Sequence, residues 1–157
     1  MTTRTMAAVL VALSLAACGD AAATEADDTA VDEYATIVAS HDGEWRESVT
    51  NADFNCGDSN AVDTCAAAYQ TGSEAAEALR KALSAAPEVG EIPAEIATLV
   101  AETEAAAADY AAAYGAWEAT ECAYPLNANC GADEALAMFQ AQGELTRQFD
   151  AWKKNSG

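Results

Sequence analysis

"CAYPLNANCG", residues 122–131, interrupts a long helical pattern with a proline, two asparagines and a glycine set around two cysteines. Pro125 has no amide hydrogen and clashes with the preceding turn, so no helix runs through it. "NCGDSNAVDTC", residues 55–65, does the same earlier in the chain, crowding Gly, Asp, Ser and Asn between another pair of cysteines. A third break, "PEVGEIP" at 87–93, lies between them without a cysteine, and its Pro93 is expected in the first turn of the helix that follows. These breaks divide residues 31–157 into four segments. Alanine, the strongest helix former, fills 42 positions of the chain, against three prolines and nine glycines.

Each segment carries one apolar stripe at spacings of three and four, the mark of an amphipathic helix. The first stripe is Val31, Tyr34, Val38, His41, Trp45, Val49 and Ala52; the second is Cys65, Tyr69, Gly72, Ala76, Leu79 and Leu83. The third runs through Ile96, Leu99 or Val100, Thr103, Ala107, Tyr110, Tyr114 and Trp117, and the fourth through Leu136, Phe139, Gln142, Leu145, Phe149 and Trp152. Lys153 and Lys154 sit in the last turn of the fourth helix, where the helix dipole favours positive charge. Short connections make consecutive helices antiparallel. The expected fold is therefore all-α, an up-down-up-down four-helix bundle about 35 Å long at ~1.5 Å per residue.

In that topology the first and third turns share one end of the bundle. Local pairing, Cys56–Cys65 and Cys122–Cys130, would staple each helical hairpin, each worth somewhat under about 3 kcal/mol on the chain-entropy account. Because the turns are neighbours, crossed pairings stay open. A metal role is disfavoured: no CxxC occurs and the one histidine, His41, is far from all four. Asn51, Asp53 and Asn55 alternate as in an EF-hand calcium loop. Gly57 comes one residue late, however, and Val62 replaces the bidentate glutamate.

Every helix holds one interior glycine. Gly43 and Gly143 each lie 13 residues from a cysteine, and Gly72 and Gly115 each lie seven, which places them at matching heights on neighbouring helices. Close backbone approach is one reading. A small internal cavity near Gly43 and Gly143 is the other, with His41, Trp45 and Gln142 as candidate ligand-binding residues. The residue three before His41 is Val38, so the Glu-x-x-His pair of bundle metal sites is absent, and neither a metal nor another cofactor is assigned.

The chain opens "MTTRTMAAVLVALSLAAC": one positive charge at Arg4, an apolar run from Met6, then small residues before Cys18. That order is a secretory signal, and the run is shorter than the roughly 20 residues a membrane span needs. Leu15-Ala16-Ala17-Cys18 resembles the lipobox of bacterial lipoproteins. The resemblance implies cleavage of residues 1–17 and acylation of Cys18 by palmitate-like chains, which moor the protein by about 0.8 kcal/mol per buried CH₂. It implies a cell-envelope location, on the outer face of the cytoplasmic membrane or the periplasmic face of an outer membrane. Residues 18–30, with acidic "GDAAATEADDTA" at 19–30 and no periodicity, are expected to be a flexible tether.

After such cleavage six basic residues face 26 acidic ones, a formal charge of −20. Phosphate contacts need Lys and Arg, so nucleic acid is excluded as a partner, while a cationic partner is attracted. No phosphate loop, nucleophile elbow or zinc-binding histidine pair appears, and Ser40-His41-Asp42, adjacent on a helix, cannot converge as a triad. The expected function is a non-catalytic protein-interaction or structural module of the envelope. The alternative is a bundle that takes a small ligand or metal around His41 and Trp45.

Overall fold

The computed structural model describes residues 20–56, 62–86, 92–122 and 130–155. They form four helices: α1 (Asp20–Asn55), α2 (Val62–Ala85), α3 (Ala94–Glu118) and α4 (Ala132–Asn155). α1 packs on α2, α2 on α3 and α3 on α4, and α4 closes back against α1 more sparsely. This is the antiparallel bundle expected, and no strand occurs among the described residues. Both local disulfides are present, Cys56–Cys65 with Cα atoms 4.9 Å apart and Cys122–Cys130 at 5.8 Å. They share one end: Tyr69, one turn past Cys65, meets Trp117 of α3 and Phe139 of α4 at ring-centroid distances of 6.1 and 5.9 Å.

The second disulfide depends on Gly131. Its φ of 62° is left-handed, and a Cβ there would lie 2.8 Å from Thr120 Oγ1 and 3.0 Å from Cys122 Sγ. Its carbonyl accepts the first helical hydrogen bond of α4, from the amide of Ala135. Across the cystine, Glu121, in the turn that follows α3, has a φ of 56°. At the other end Pro93 is the N-cap of α3, one position before the first turn where it was expected, and its carbonyl accepts from the amide of Ile96.

The stripes of α2 and α3 are buried as read, save that Leu99 is half-buried and Val100 takes the core position. In α1, Tyr34, Val38, Trp45 and Ala52 are core, joined by Ser48, while Val31, His41 and Val49 lie at its flank. α4 departs from expectation at its start. Leu136 is 55 % exposed and Phe139 half-buried, whereas Ala135 and Met138 face the core. The reason is geometric: counting back from Gln142 in alternating steps of four and three keeps one face, whereas two successive steps of three drift off it.

Residues 18–30 were expected to be a flexible tether, but α1 is helical from Asp20. Ala21–Ala23 and Glu25 are strong helix formers, and acidic residues in the opening turns complement the helix dipole. α1 has 36 residues against 24 or 25 in the others, an excess of about 17 Å. Its C-terminal end is tied at Cys56, so that excess overhangs the opposite end of the bundle. No helix among the described residues is long and apolar enough to cross a membrane.

Candidate functional site

The candidate residues His41, Trp45 and Gln142 lie around the α1–α4 seam, but they do not enclose a cavity with the glycines. Gly43, Gly115 and Gly143 face solvent, and a Cβ on any of them would meet nothing within 4 Å. Three of the four glycines of that pattern therefore lie on the outer face of their helix. Of these four glycines, Gly72 is the close approach: a Cβ there would lie 2.9 Å from Tyr110 Oη and 3.0 Å from Ser48 Oγ. Trp45 is instead surrounded by side chains. Tyr110 meets it edge-on at 4.8 Å and Phe149 stacks at 6.1 Å.

Two tryptophan indoles end in threonines. Trp45 Nε1 donates to Thr146 Oγ1 at 3.1 Å, and that hydroxyl donates to the Gln142 carbonyl at 2.9 Å. Trp152 Nε1 donates to Thr103 Oγ1 at 2.9 Å, and that hydroxyl donates to the Leu99 carbonyl at 2.7 Å. Each threonine thus accepts from an indole on another helix and donates to its own, so both polar groups are satisfied inside the core. Thr103 was visible on the third stripe. Thr146, beside Leu145, was not assigned to a stripe, and its signal is a hydroxyl four residues after the buried Gln142.

The open space lies one turn further along the α1–α4 seam. A cleft of about 250 Å³ is lined by Ala35, Val38, Ala39, Asp42, Phe149, Trp152 and Lys153. Asp42 is its charged wall: Arg46 Nε lies 2.7 Å and Lys153 Nζ 2.8 Å from its carboxylate oxygens. Arg46 also reaches Asp150 Oδ1 at 2.6 Å, a hydrogen bond that is the main cause holding its pKa above the ordinary arginine value, reinforced by Asp42. His41 sits half-buried on α1 next to Asp42.

A second, wider groove of about 650 Å³ runs between α3 and α4 and includes Glu102, Asp109, Glu144, Arg147 and Gln148. Its floor is shallow-sided because Ala105, Ala106 and Ala151 present only methyl groups. Gln148 is 6 % exposed; its Nε2 donates to Glu144 Oε1 at 3.0 Å, and its Oε1 is buried with no hydrogen-bond partner among the described residues. Arg147 pairs with Glu144 on the same rim.

Among the described residues, no group of three His, Cys, Asp or Glu side chains is placed to hold a metal ion. Asn51, Asp53 and Asn55 are helical residues of α1, which removes the loop a calcium site requires. Cys18 and residues 1–17 lie outside the described residues. No family model, curated protein or solved structure matches the chain.

Proposed function

We propose that this is a lipid-anchored extracytoplasmic lipoprotein whose bundle serves the cell envelope as a non-catalytic interaction or structural module. Its address comes from the sequence, from Arg4, the apolar run and Leu15-Ala16-Ala17-Cys18. The observation that carries it further is the pair of cystines, since disulfides persist in oxidising compartments and are rare in the cytosol. The overhanging start of α1 then acts as a rigid spacer directly after Cys18, lifting the bundle from the lipid surface. The disulfide end points away from the membrane and presents Phe54, 83 % exposed. Mass spectrometry of the protein isolated from membranes tests this reading. A chain beginning at an acylated Cys18 with both local cystines is expected; an unacylated Cys18 in exported protein overturns it.

A second reading, small-ligand binding, draws on the α1–α4 cleft. Its floor of Val38, Phe149 and Trp152 suits an apolar ligand of few atoms, and the volume falls just short of the usual range for drug-sized ligands. Any occupant stabilises the fold by mass action. Filling the cleft with Ala39→Leu should abolish ligand-induced thermal stabilisation; equal stabilisation of that variant counts against the cleft.

A further inference from the structure

We propose that the α1–α4 seam is a gate. The α1–α2 and α3–α4 hairpins part there, at the end of the bundle opposite the cystines, and turn about α2–α3 as the hinge. The packing divides the bundle along that line. Each cystine closes its own hairpin, Cys56–Cys65 joining α1 to α2 and Cys122–Cys130 joining α3 to α4, and neither ties one hairpin to the other. Packing is dense within each hairpin and between α2 and α3, and sparse between α1 and α4.

The hairpins are also held unevenly along their length. Near the cystines Tyr69 of α2 packs on Trp117 of α3 and Phe139 of α4. At mid-length Trp45 of α1 packs on Tyr110 of α3 and Phe149 of α4 and donates to Thr146. Beyond Trp45 the two seams differ. α2 and α3 still carry large buried side chains, Leu79, Leu83, Ile96 and Val100, and Ser84 Oγ of α2 donates to Glu104 Oε1 of α3 at 2.9 Å. The α1–α4 seam holds the cleft instead, and its α1 wall is Ala35, Val38, Ala39 and Asp42. What crosses it there is charge: Lys153 Nζ on Asp42 at 2.8 Å, and Arg46 on Asp150 at 2.6 Å while also on Asp42 at 2.7 Å. Sparse apolar packing and solvent-exposed links mark the segments that open locally. Exposed ion pairs are individually weak, and salt screens them. The latch is therefore light and salt-sensitive, whereas the aromatic tip and the hinge are neither. Opening uncovers Val38, Phe149 and Trp152. The gate requires neither an acylated Cys18 nor a ligand, so it stands apart from both readings above.

Double electron–electron resonance between paired nitroxide labels tests the motion in the full-length chain, with Cys18→Ser so that only introduced thiols carry label. One pair, Ser40→Cys/Lys154→Cys, spans the seam at its mouth. The other, Thr50→Cys/Gln140→Cys, spans it near the cystines, and all four positions are exposed. The mouth pair is expected to show a second, longer distance. Its population should rise at least threefold between about 10 mM and about 1 M sodium chloride, as the screening length falls from ~30 to ~3 Å. Asp42→Asn should raise it at least threefold at low salt, and Asp150→Asn, which breaks only the outer arm of the latch, should act in the same direction. The pair near the cystines should keep one distance throughout. Glu77→Gln, which breaks the Lys81 pair within α2, should change neither. A single mouth distance unmoved by salt and by both latch variants, equal spreading of both label pairs, or an equal rise in Glu77→Gln would each overturn the gate.

Discussion

Replacing each helical glycine with alanine separates packing from propensity, because the same substitution should act with opposite signs. At Gly43, Gly115 and Gly143 a new methyl meets nothing within 4 Å, so each Gly→Ala change should stabilise by up to about 1 kcal/mol through helix propensity alone. Gly72→Ala makes the same gain, but its Cβ would stand 2.9 Å from Tyr110 Oη, 3.0 Å from Ser48 Oγ and 3.4 Å from Tyr110 Cε1. Ser48 can turn. Tyr110 cannot turn freely: it is buried, its ring lies edge-on to Trp45 at 4.8 Å, and its hydroxyl points to the Tyr69 carbonyl at 3.4 Å. Overpacking of this kind costs about 1–3 kcal/mol, so Gly72→Ala should come out net destabilising by about 1 kcal/mol. Thermal melting resolves this, as 1 kcal/mol shifts the midpoint of a domain this size by roughly 4 °C. If the tyrosine hydroxyl is the cause, Tyr110→Phe should absorb at least half of the Gly72→Ala cost, a coupling that a double-mutant cycle reads directly. A Gly72→Ala protein that melts above the parent would refute the close approach. Loss of stability in all four variants would show that backbone freedom, and not space, decides.

Further outcomes follow from the same packing. Thr146→Val keeps the shape but removes the acceptor of the Trp45 indole, so it should cost about 1–3 kcal/mol in denaturant unfolding, and Thr103→Val should do the same to Trp152. Met138→Ala should cost about 2–5 kcal/mol and Leu136→Ala within about 0.5 kcal/mol; the reverse order would restore the stripe through Leu136. Alkaline titration followed by circular dichroism should show stability falling as pH rises from 10. Burial, then the charge and hydrogen bond of Glu118, push Tyr114 up to about 12. Above pH 10 the unfolded phenol therefore releases a proton that the folded one keeps, which favours unfolding. Tyr114→Phe should make that loss shallower.

How much of this was legible beforehand depended on what each stretch had to satisfy. α2 and α3 follow one stripe from end to end, because Leu79, Leu83, Tyr110 and Trp117 are large residues with polar or alanine neighbours, leaving the core one option. The cystines were readable because a bridge over eight or nine residues suits a hairpin turn. At the start of α4 side-chain size misled: Leu136 and Phe139 are bulkier than Ala135 and Met138, but the face is set from both ends, by Gly131 against the Cys122 sulfur and by Trp152 on Thr103. The glycine pattern failed for a related reason. Distance from a cysteine fixes height along a helix and says nothing of azimuth, and three of the four glycines face water.

Azimuth is also why the candidate sites moved. His41 and Trp45 were placed on the core stripe, and a core position filled by Tyr110, Phe149 and a Trp–Thr hydrogen bond leaves no room for a guest. An alanine-rich bundle economises on volume at its seams. Where two helices meet through methyl groups, as at Ala105, Ala106 and Ala151, the space left over becomes a surface groove flanked by charged residues, Glu102 and Asp109 on α3 and Glu144 and Arg147 on α4. With acidic residues far outnumbering basic ones, such rims are acidic by composition, and composition alone selects nothing.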